Sequence, residues 1–445
     1  MPNPYIQFQS DLSAVTLSHP KRISGGTVAA IPSKSHAHRL LIAAALSDTP
    51  VFLYCPFSSR DIDATASCLS AMGAAITREE KGFRVMPFSS ETASHPLHPG
   101  ESGSTLRFLL PVLGALGRTA ELHLEGRLPE RPLHPLDSEM ERHGISLSGK
   151  GEPTLRISGK LTPGEYTIDG GISSQYITGL LFALPLLDGD SVLTVTGKLE
   201  SRPYVDITLQ VLREFGIRVR EELPAADGTS VIFRISGKQQ YHSCAPELRV
   251  EGDWSNTAFF LTAGALLDKP VTVTGCRMDS PQGDRIIVEL LRQFGADIRI
   301  NTVSELGNIT ISGGHLRGIE IDAAQIPDLV PILSVAAAFA EGTTIIRNIE
   351  RLRIKESDRI ATVCALISGL GGSIAEKKEA EASFLAITGA PSLPGGTVSS
   401  FNDHRIAMSA AIASLRTEGS VTLLSPMAVE KSYPGFYNDL AQILV

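Results

Sequence analysis

The chain has 445 residues, of which 42% are hydrophobic and 20% are charged, and its formal net charge is -8 at pH 7. This length exceeds what one hydrophobic core usually serves, so two domains are expected. The acidic balance argues against a broad basic face for nucleic acid or an anionic membrane, and no stretch resembles a membrane span. The five cysteines are scattered, which fits a reducing compartment and favours a cytoplasmic protein.

Residues 5 to 31 have an extended pattern that ends at Pro32, because a proline disfavours helix in the residue before it. A short polar opener follows and begins a predicted helix. Similar openers recur about 70 to 80 residues apart, which is too long for a solenoid repeat of roughly 20 to 50 residues. The six openers are Ser33-Lys34-Ser35, Ser102-Gly103-Ser104, Ser173-Ser174, Asp253-Trp254-Ser255, Pro327-Asp328 and Asn402-Asp403-His404.

After each opener the pattern predicts a helix, a strand, a polar loop and a second helix. In the third copy the first helix is predicted over Tyr176 to Leu187, and the strand over Val192 to Val195, where apolar and hydroxyl side chains alternate. In five copies the second helix ends at a glycine, a common helix stop. These glycines are Gly73, Gly144, Gly216, Gly295 and Gly371. The period therefore predicts six small α/β units and not a superhelix.

Six units divide most simply into three and three. The segment from Val250 to Asp253 precedes the fourth opener with a glycine at its midpoint, and together with Ile31-Pro32 it marks a candidate crossover between domains. We therefore predict one domain over residues 33–252. The other comprises residues 1–32 and 253–445, so that the N-terminal strand completes the C-terminal half. Two short crossovers would also form a hinge.

The openers are candidate anion sites, because a helix N-terminus offers unpaired N–H groups and the positive end of a dipole. For a single Ser, Thr or Asp the simpler interpretation is a plain N-cap. Two openers add cations that a cap does not need. Ser35 and Arg39 stand four residues apart beside Lys34, and His404 and Arg405 enter the first turn of a helix, where the dipole disfavours positive charge.

The loops before the second helices are also charged. A single run of this kind is usually a solvated face, but its recurrence in an acidic protein favours a shared site for a polyanion. Asp328, Lys355 and Glu356 are candidate proton-transfer groups, since cationic neighbours retune such side chains. The chain has no nucleotide-binding fingerprint, and its isolated histidines have no ligand spacing, so we expect neither a cofactor nor a metal. The charged loops are 126–132, 352–359 and 430–434.

Taken together, these motifs identify a resemblance. The matching segments are Ser33-Lys34-Ser35 with Arg39, Gly103 to Arg107, Glu130-Arg131-Pro132, Ser173-Ser174-Gln175, Ser201 to Tyr204, Ile326-Pro327-Asp328, Arg353 to Arg359, and Asn402 to Met408. In this order and spacing the chain resembles the 5-enolpyruvylshikimate-3-phosphate synthase family over essentially its whole length. The resemblance implies a two-domain inverse α/β barrel with three copies of one unit in each domain, closing on substrates between them.

The reaction that the resemblance implies moves the enolpyruvyl group of phosphoenolpyruvate onto the 5-hydroxyl of shikimate 3-phosphate and releases phosphate. It needs no metal and no organic cofactor. The implied partners are these two small molecules, with no nucleic acid and no membrane, and nothing in the sequence demands more than a monomer. The implied place of the reaction is aromatic amino-acid biosynthesis.

The resemblance also implies roles for individual residues. The implied shikimate 3-phosphate contacts are Lys34, Ser35, Arg39, Ser173, Ser174, Gln175, Ser201, Tyr204, Asp328 and Lys355. The implied phosphoenolpyruvate contacts are Lys34, Gly103, Arg127, Gln175, Arg359, Arg405 and Lys431. The implied catalytic residues are Asp328, Glu356, Lys34, Lys355 and His404. Asp328 would accept the hydroxyl proton, with Lys355 as its partner, and Glu356 would protonate the methylene carbon.

The chain departs from the family pattern at Glu101 and Arg351, where asparagine is common, and in Ile31-Pro32-Ser33, which lacks the glycine usually found before Ser-Lys-Ser. Two alternatives stay open from the residues. A UDP-N-acetylglucosamine enolpyruvyl transferase would share the architecture, but its reactive cysteine is missing from the loop 126–132. A non-catalytic repeat scaffold would explain the period but not Asp328, Lys355 and Glu356 among so many arginines.

Overall fold

The structure is a computed structural model, and it describes residues 3–18, 24–89, 95–222, 230–303, 305–379 and 382–444. The chain divides into two compact units. The continuous unit is Pro32–Val250, and the split unit combines Met1–Ile31 with Glu251–Val445. None of the described helices has both the length and the apolar character that a bilayer span requires.

The helices follow the predicted pattern of two helices in each copy. The helices are α1 (Lys34–Leu46), α2 (Arg60–Ala71), α3 (Gly103–Ala115), α4 (Leu136–Arg142), α5 (Ser174–Ala183), α6 (Arg202–Glu214), α7 (Trp254–Leu266), α8 (Ile287–Phe294), α9 (Val330–Ala338), α10 (Arg359–Gly369), α11 (His404–Ala413) and α12 (Phe436–Ile443). Short 3-10 helices precede several of the second helices, as at Leu128–Glu130, Glu350–Ile354 and Pro426–Lys431.

The strands are short and numerous. In the continuous unit they are β4 (Val51–Tyr54), β5 (Ala75–Glu79), β6 (Gly82–Met86), β7 (Leu97–Gly100), β8 (Ala120–Leu124), β9 (Ile145–Ser148), β10 (Thr154–Gly159), β11 (Glu165–Asp169), β12 (Ser191–Thr196), β13 (Val219–Glu222), β14 (Val231–Ile235) and β15 (Glu247–Arg249). In the split unit they are β1 (Ile6–Phe8), β2 (Ala14–Leu17), β3 (Gly26–Ala29), β16 (Val271–Arg277), β17 (Asp297–Val303), β18 (Leu306–Ser312), β19 (Glu320–Asp322), β20 (Thr343–Arg347), β21 (Ser373–Glu379), β22 (Ala382–Thr388), β23 (Gly396–Ser399) and β24 (Val421–Leu424).

Within the described residues the strands form six four-stranded sheets, three in each unit, and all six have one topology. In the third copy β11 and β12 are parallel, with Glu165 opposite Val192, and α5 connects them. A two-stranded antiparallel extension, β14 and then β13, follows on the other edge of β12. Six sheets of one pattern confirm the predicted six α/β units.

Three of the sheets are completed by strands that are distant in sequence. In the continuous unit β15 pairs parallel with β4, so the end of this unit completes its first sheet. In the split unit β3 pairs with β16, and β2 pairs with β24. The N-terminal strands therefore belong structurally to sheets of the split unit.

The first helix of each copy is almost wholly buried, because apolar residues surround its axis. Five of the six begin at the predicted polar cap. The side chains of Ser33, Ser102, Ser173, Asp253 and Asp403 each accept a hydrogen bond from a backbone N–H in the first turn. The fifth copy differs, because α9 begins after Leu329 without a side-chain cap.

The predicted helix from Tyr176 to Leu187 is interrupted. α5 ends at Ala183, and a 3-10 turn over Leu184–Leu186 follows. Pro185 explains the break, because a proline has no N–H to donate and its ring clashes with the carbonyl four residues earlier. The glycine stops are as predicted: all five have φ between 73° and 110°, a left-handed conformation that other residues rarely adopt.

Candidate active site

The candidate site of the split unit is organised around Arg359, whose side chain is 1% exposed. Its Nη1 donates to Asp328 Oδ1 at 2.6 Å, its Nη2 to Glu356 Oε2 at 2.7 Å and its Nε to Asp403 Oδ2 at 2.9 Å. Each nitrogen of one guanidinium thus has a different carboxylate. Burial alone would disfavour the charge, but the carboxylates raise the pKa of Arg359 well above its ordinary value.

Asp328 is the carboxylate that connects the other cations to this network. Arg405 Nη2 donates to Asp328 Oδ2 at 3.0 Å, and Lys355 Nζ lies 3.9 Å from Oδ1. The absence of a side-chain cap at the start of α9 is consistent with this arrangement, since the Asp328 side chain bonds Arg359 and Arg405. The structure therefore brings together Asp328, Lys355, Glu356, Arg359 and Arg405, all predicted from the sequence.

Lys355 has an unusual electrostatic environment. Its side chain is 21% exposed, and burial lowers the pKa of its ammonium to about 8. Asp328 opposes this shift, whereas Arg351 and Arg359 add to it. A lysine with a pKa near neutrality can exchange a proton at physiological pH.

Asp403 is a structural partner that the sequence did not assign to the site. Its side chain caps α11 by accepting from the Arg405 backbone N–H at 2.9 Å, and its Oδ2 accepts from Ser357 Oγ at 3.0 Å as well as from Arg359. It is fully buried. The signal available in the sequence was an acidic cap directly before a first turn that contains a histidine and an arginine.

Lys431 and His404 lie next to the same helix start. Lys431 Nζ donates to the Asn402 carbonyl oxygen at 2.7 Å, and the Lys431 side chain is buried. His404, the first residue of α11, is also buried, with its Nδ1 4.0 Å from Asp403 Oδ1. Both predicted residues therefore adjoin the Arg359 network.

A second unassigned carboxyl group, Asp284, belongs to this region. It is buried, and it accepts a hydrogen bond from Ser255 Oγ. Burial, and after it the Asp328 charge, raise the pKa of Asp284 to about 7, while Arg405 opposes the shift. The Asp284 carboxyl is thus electrostatically coupled to two predicted site residues.

In the continuous unit Arg39 is a buried cation, with 2% exposure. Its Nε donates to Thr208 Oγ1 at 2.8 Å, and its Nη2 donates to the Tyr204 carbonyl oxygen at 2.9 Å and to Thr178 Oγ1 at 3.3 Å. Nη1 donates to the Ser35 carbonyl oxygen at 2.6 Å. These acceptors are all neutral, and burial lowers the pKa of Arg39 to about 9.

Gln175 is oriented by two residues of α3. Its Oε1 accepts from Arg107 Nη1 at 2.8 Å, and its Nε2 donates to Ser104 Oγ at 3.0 Å. Arg107 is buried and also donates to the Pro132 carbonyl oxygen. A Cβ on Gly103 would lie 2.6 Å from Arg107 Nη1, so glycine leaves room for this guanidinium. Arg107 was part of a predicted motif but was given no role.

Three of the four predicted site serines are Ser173, Ser174 and Ser201, and they lie at helix starts. Ser173 caps α5, and Ser174 is the first residue of that helix. Ser201 precedes α6 with a φ of 54°, which is uncommon for a residue other than glycine. Ser174 and Ser201 are both buried. The serine hydroxyls thus occupy the helix ends that the anion-site prediction requires.

Lys34 and Arg127 pair with acidic residues outside the predicted set. Lys34 Nζ lies 2.9 Å from Asp61 Oδ2, and Arg127 Nε lies 3.6 Å from Glu130 Oε2 on the exposed surface. The Glu101 carboxyl packs against Gly126, where a Cβ would lie 2.5 Å from its Cδ. This departure from the family pattern therefore stands beside Arg127.

The described residues contain no group of three or more His, Cys, Asp or Glu side chains that could hold a metal ion. The described cysteines are free thiols, and three of them are buried. Burial raises the pKa of Cys55, Cys68 and Cys276 to about 12, so these thiols are poor nucleophiles.

Comparison with known proteins agrees with this chemistry. A family model described as EPSP synthase (3-phosphoshikimate 1-carboxyvinyltransferase) matches residues 17–440. The 3-phosphoshikimate 1-carboxyvinyltransferase of Clostridium kluyveri is 40% identical over 94% of this chain and 95% of its own. The corresponding protein of Clostridium acetobutylicum is 39% identical, with the same coverage.

Solved structures show the same fold. The EPSP synthase of Acinetobacter baumannii matches with a TM-score of 0.77 and 25% identity, over 96% of this chain and 97% of that one. The enolpyruvyl transferase NikO of Streptomyces tendae matches with a TM-score of 0.72 at 21% identity, over 96% of each chain. On the extent of the family match and the identity to its relatives, this chain belongs to the EPSP synthase family.

Proposed function

We propose that this protein transfers the enolpyruvyl group of phosphoenolpyruvate to the 5-hydroxyl of shikimate 3-phosphate and releases inorganic phosphate, as a step of aromatic amino-acid biosynthesis. The observation that supports the proposal most directly is the Arg359 network, in which one guanidinium bonds both Asp328 and Glu356. Addition and elimination across the enol double bond need one group to accept a proton and another to donate one.

In this proposal the continuous unit contributes contacts to shikimate 3-phosphate. Ser173, Ser174 and Ser201 stand at helix starts that suit its phosphate. Arg39 is a buried cation whose neutral partners leave its charge uncompensated, so an anionic or hydroxyl-rich ligand is a favourable neighbour. Ser35, Tyr204 and Gln175 complete this set.

The proposed phosphoenolpyruvate contacts are Lys34, Gly103, Arg127, Gln175, Arg359, Arg405 and Lys431. Arginine suits the carboxylate and phosphate of this ligand because its N–H groups bind two oxygens at once. Arg359 bonds both Asp328 and Glu356, and Arg405 bonds Asp328. An incoming anion would compete for these guanidinium groups and loosen the two carboxyl groups for proton transfer.

Proton transfer then follows in two stages. Asp328, with Lys355 beside it, accepts the proton of the 5-hydroxyl as its oxygen attacks C2 of phosphoenolpyruvate. Glu356 in its acid form donates a proton to C3, which gives a tetrahedral adduct with a new C–O bond. Elimination breaks the C2–O bond to phosphate, which leaves with the proton held by Asp328, and the methyl group returns a proton to Glu356, so that both carboxyl groups regain their starting forms. Lys34, Arg127 and Lys431 stabilise the negative charge on the adduct and on the departing phosphate, with His404 at the same helix start.

The test is phosphate release from the purified protein with both substrates. Glu356→Gln keeps the size of the side chain but cannot donate the carboxyl proton. We expect it to lower kcat by about 100-fold or more while ligand binding persists. Arg405→Lys should mainly raise the KM for phosphoenolpyruvate, since a point charge replaces the two-pronged donor. A folded wild-type protein that releases no phosphate would refute the proposed function.

The main alternative is transfer to UDP-N-acetylglucosamine, and that substrate serves as the control acceptor. The family match and the relatives favour shikimate 3-phosphate.

We further propose that the enzyme is a cytoplasmic monomer. Sedimentation of the purified chain at several concentrations tests the monomer, because a self-associating protein would sediment faster as its concentration rises.

A further inference from the structure

The turn before α11 contains two consecutive residues with positive φ, Phe401 at 52° and Asn402 at 57°. Neither is glycine, and a left-handed backbone is unfavourable for Phe401 and less so for Asn402, since asparagine tolerates this region better than most residues. Strain of this kind persists only where the surroundings hold it, and it concentrates at functional sites. The turn leads directly into Asp403, the cap of α11 that also bonds Arg359.

Hydroxyl groups hold the turn in this conformation. The Phe401 N–H donates to Ser399 Oγ at 3.0 Å, and the Asn402 N–H donates to Ser400 Oγ at 3.1 Å. Ser400 is fully buried, and its own hydroxyl donates to the Ser425 carbonyl oxygen at 2.8 Å. The Asp403 N–H then donates to the Ser400 carbonyl oxygen at 2.9 Å. These bonds to four successive residues fix the turn on the edge of its sheet.

The turn directs one backbone group at a predicted ligand-binding side chain. The Asn402 carbonyl oxygen accepts from Lys431 Nζ at 2.7 Å, and Lys431 is buried. A buried ammonium needs a fixed acceptor, and the direction of a carbonyl group depends on the φ and ψ of its own residue. If Asn402 relaxed to negative φ, this carbonyl would turn away from Lys431.

We propose that Asn402, held by Ser400, is a positioning residue that sets the Lys431 ammonium for the anionic substrate through its left-handed backbone. The proposal rests on the proposed function, because it takes Lys431 to bind phosphoenolpyruvate. The proposed role depends on the Asn402 backbone conformation. Glycine at this position should therefore keep the Lys431 ammonium in place, and a residue that resists positive φ should displace it.

The test compares Asn402→Gly with Asn402→Ala, since both remove the same side chain and differ in their tolerance of positive φ. We expect Asn402→Gly to keep a near wild-type KM for phosphoenolpyruvate. Asn402→Ala should raise that KM about tenfold over the glycine variant, because a left-handed alanine is strained. The KM for shikimate 3-phosphate should stay within about twofold in both.

A matched control comes from Lys238, which has a φ of 55° in the turn after β14 and belongs to no proposed site. Lys238→Ala should lose stability relative to Lys238→Gly, with the phosphoenolpyruvate KM unchanged in both.

If Asn402→Ala is poorly folded, Ser400→Ala provides a second test, since it removes the hydroxyl that holds the Asn402 N–H. Ser400→Ala should raise the KM for phosphoenolpyruvate and leave the KM for shikimate 3-phosphate unchanged.

Equal phosphoenolpyruvate KM values in Asn402→Gly and Asn402→Ala, with only a stability difference between them, would show that the turn is purely structural and would overturn the inference. An equal rise in the KM of both substrates would overturn it as well. Wild-type protein that releases no phosphate is a different outcome, because it refutes the proposed function and not the role of the turn.

Discussion

The two units use buried arginines in opposite ways. Arg39 in the continuous unit donates only to neutral oxygens, whereas Arg359 in the split unit donates to three carboxylates. Both side chains are at most 2% exposed. Their pKa values nevertheless move apart, down to about 9 for Arg39 and well above the ordinary value for Arg359.

The comparison shows that a buried arginine can have its hydrogen-bond donors satisfied while its positive charge remains uncompensated. Arg39 has most of its donors bonded, but its charge has no opposite partner among those acceptors, so it favours an anionic ligand. Arg359 is fully compensated inside the protein, and a ligand must compete with Asp328 and Glu356 for it. Arg39 therefore favours an anionic ligand directly. Arg359 binds an anion only if the ligand displaces its carboxylate partners.

The largest effect on the free energy of unfolding should come from replacing each of the two buried arginines with an uncharged residue. Arg359→Met removes the guanidinium that three carboxylates share, and we expect it to lower the free energy of unfolding by about 3–5 kcal/mol. Arg39→Met leaves only neutral acceptors, so a loss of about 1–3 kcal/mol is expected. Denaturant titrations at pH 8 and pH 5 measure both.

The loss in Arg359→Met should shrink at pH 5, because clustered carboxylates take up protons as the pH falls, whereas the loss in Arg39→Met should not change. Equal losses in the two variants, or the same pH dependence, would mean that the contrast between the two arginines has no energetic consequence.

An intermediate effect should appear in the pH profile through Lys355. Because its pKa is about 8, this lysine loses its positive charge above that pH. We expect kcat/KM for shikimate 3-phosphate to fall as pH rises through about 8. Lys355→Arg should have a lower maximum but no such alkaline fall, since arginine stays charged. An identical alkaline limb in both proteins would assign it to another group.

The same shift has a consequence for stability with a definite sign. The pKa of folded Lys355 is below its ordinary value, so the unfolded state binds more protons between pH 8 and the usual lysine range. Its contribution to the free energy of unfolding should therefore rise with pH in that window. Thermal unfolding of wild type and Lys355→Met across this range measures the difference.

The smallest effect on stability is expected at Gly103. A Cβ there would approach Arg107 Nη1 at 2.6 Å and Arg131 Nη1 at 2.8 Å, which are the ends of flexible side chains. Gly103→Ala should change the free energy of unfolding by less than about 1 kcal/mol, since alanine also favours the helix. Displacing Arg107 should disturb Gln175, so the KM for phosphoenolpyruvate should rise severalfold.

Gly114→Ala is the matched control in the same helix. Its Cβ would lie 2.9 Å from Ile145 Cδ1 and 2.9 Å from Leu161 Cγ, in the apolar core. It should lose more stability than Gly103→Ala and leave the KM for phosphoenolpyruvate unchanged. The reverse pattern would show that Arg107 does not transmit the effect.

The sequence predicted the parts that depend on local chemistry. Polar caps such as Ser33 and Ser102 and the glycine stops act through their own backbone, so a periodic pattern reveals them. It could not show that Asp328 leaves the start of α9 uncapped and bonds Arg405, which lies 77 residues later. Nor could it show that Arg107 orients Gln175, 68 residues away. Such pairs depend on how buried helices pack, which spacing alone does not encode.

The pairing of β2 with β24 has a consequence for biosynthesis on the ribosome. Thr16 lies opposite Thr422, so this N-terminal strand finds its partner only when almost the entire polypeptide has been made. The continuous unit has all its strands between Pro32 and Val250 and can fold while translation proceeds. The strand β2 must wait for β24 during that time, and closing such a long loop makes assembly of the split unit the slower, later event.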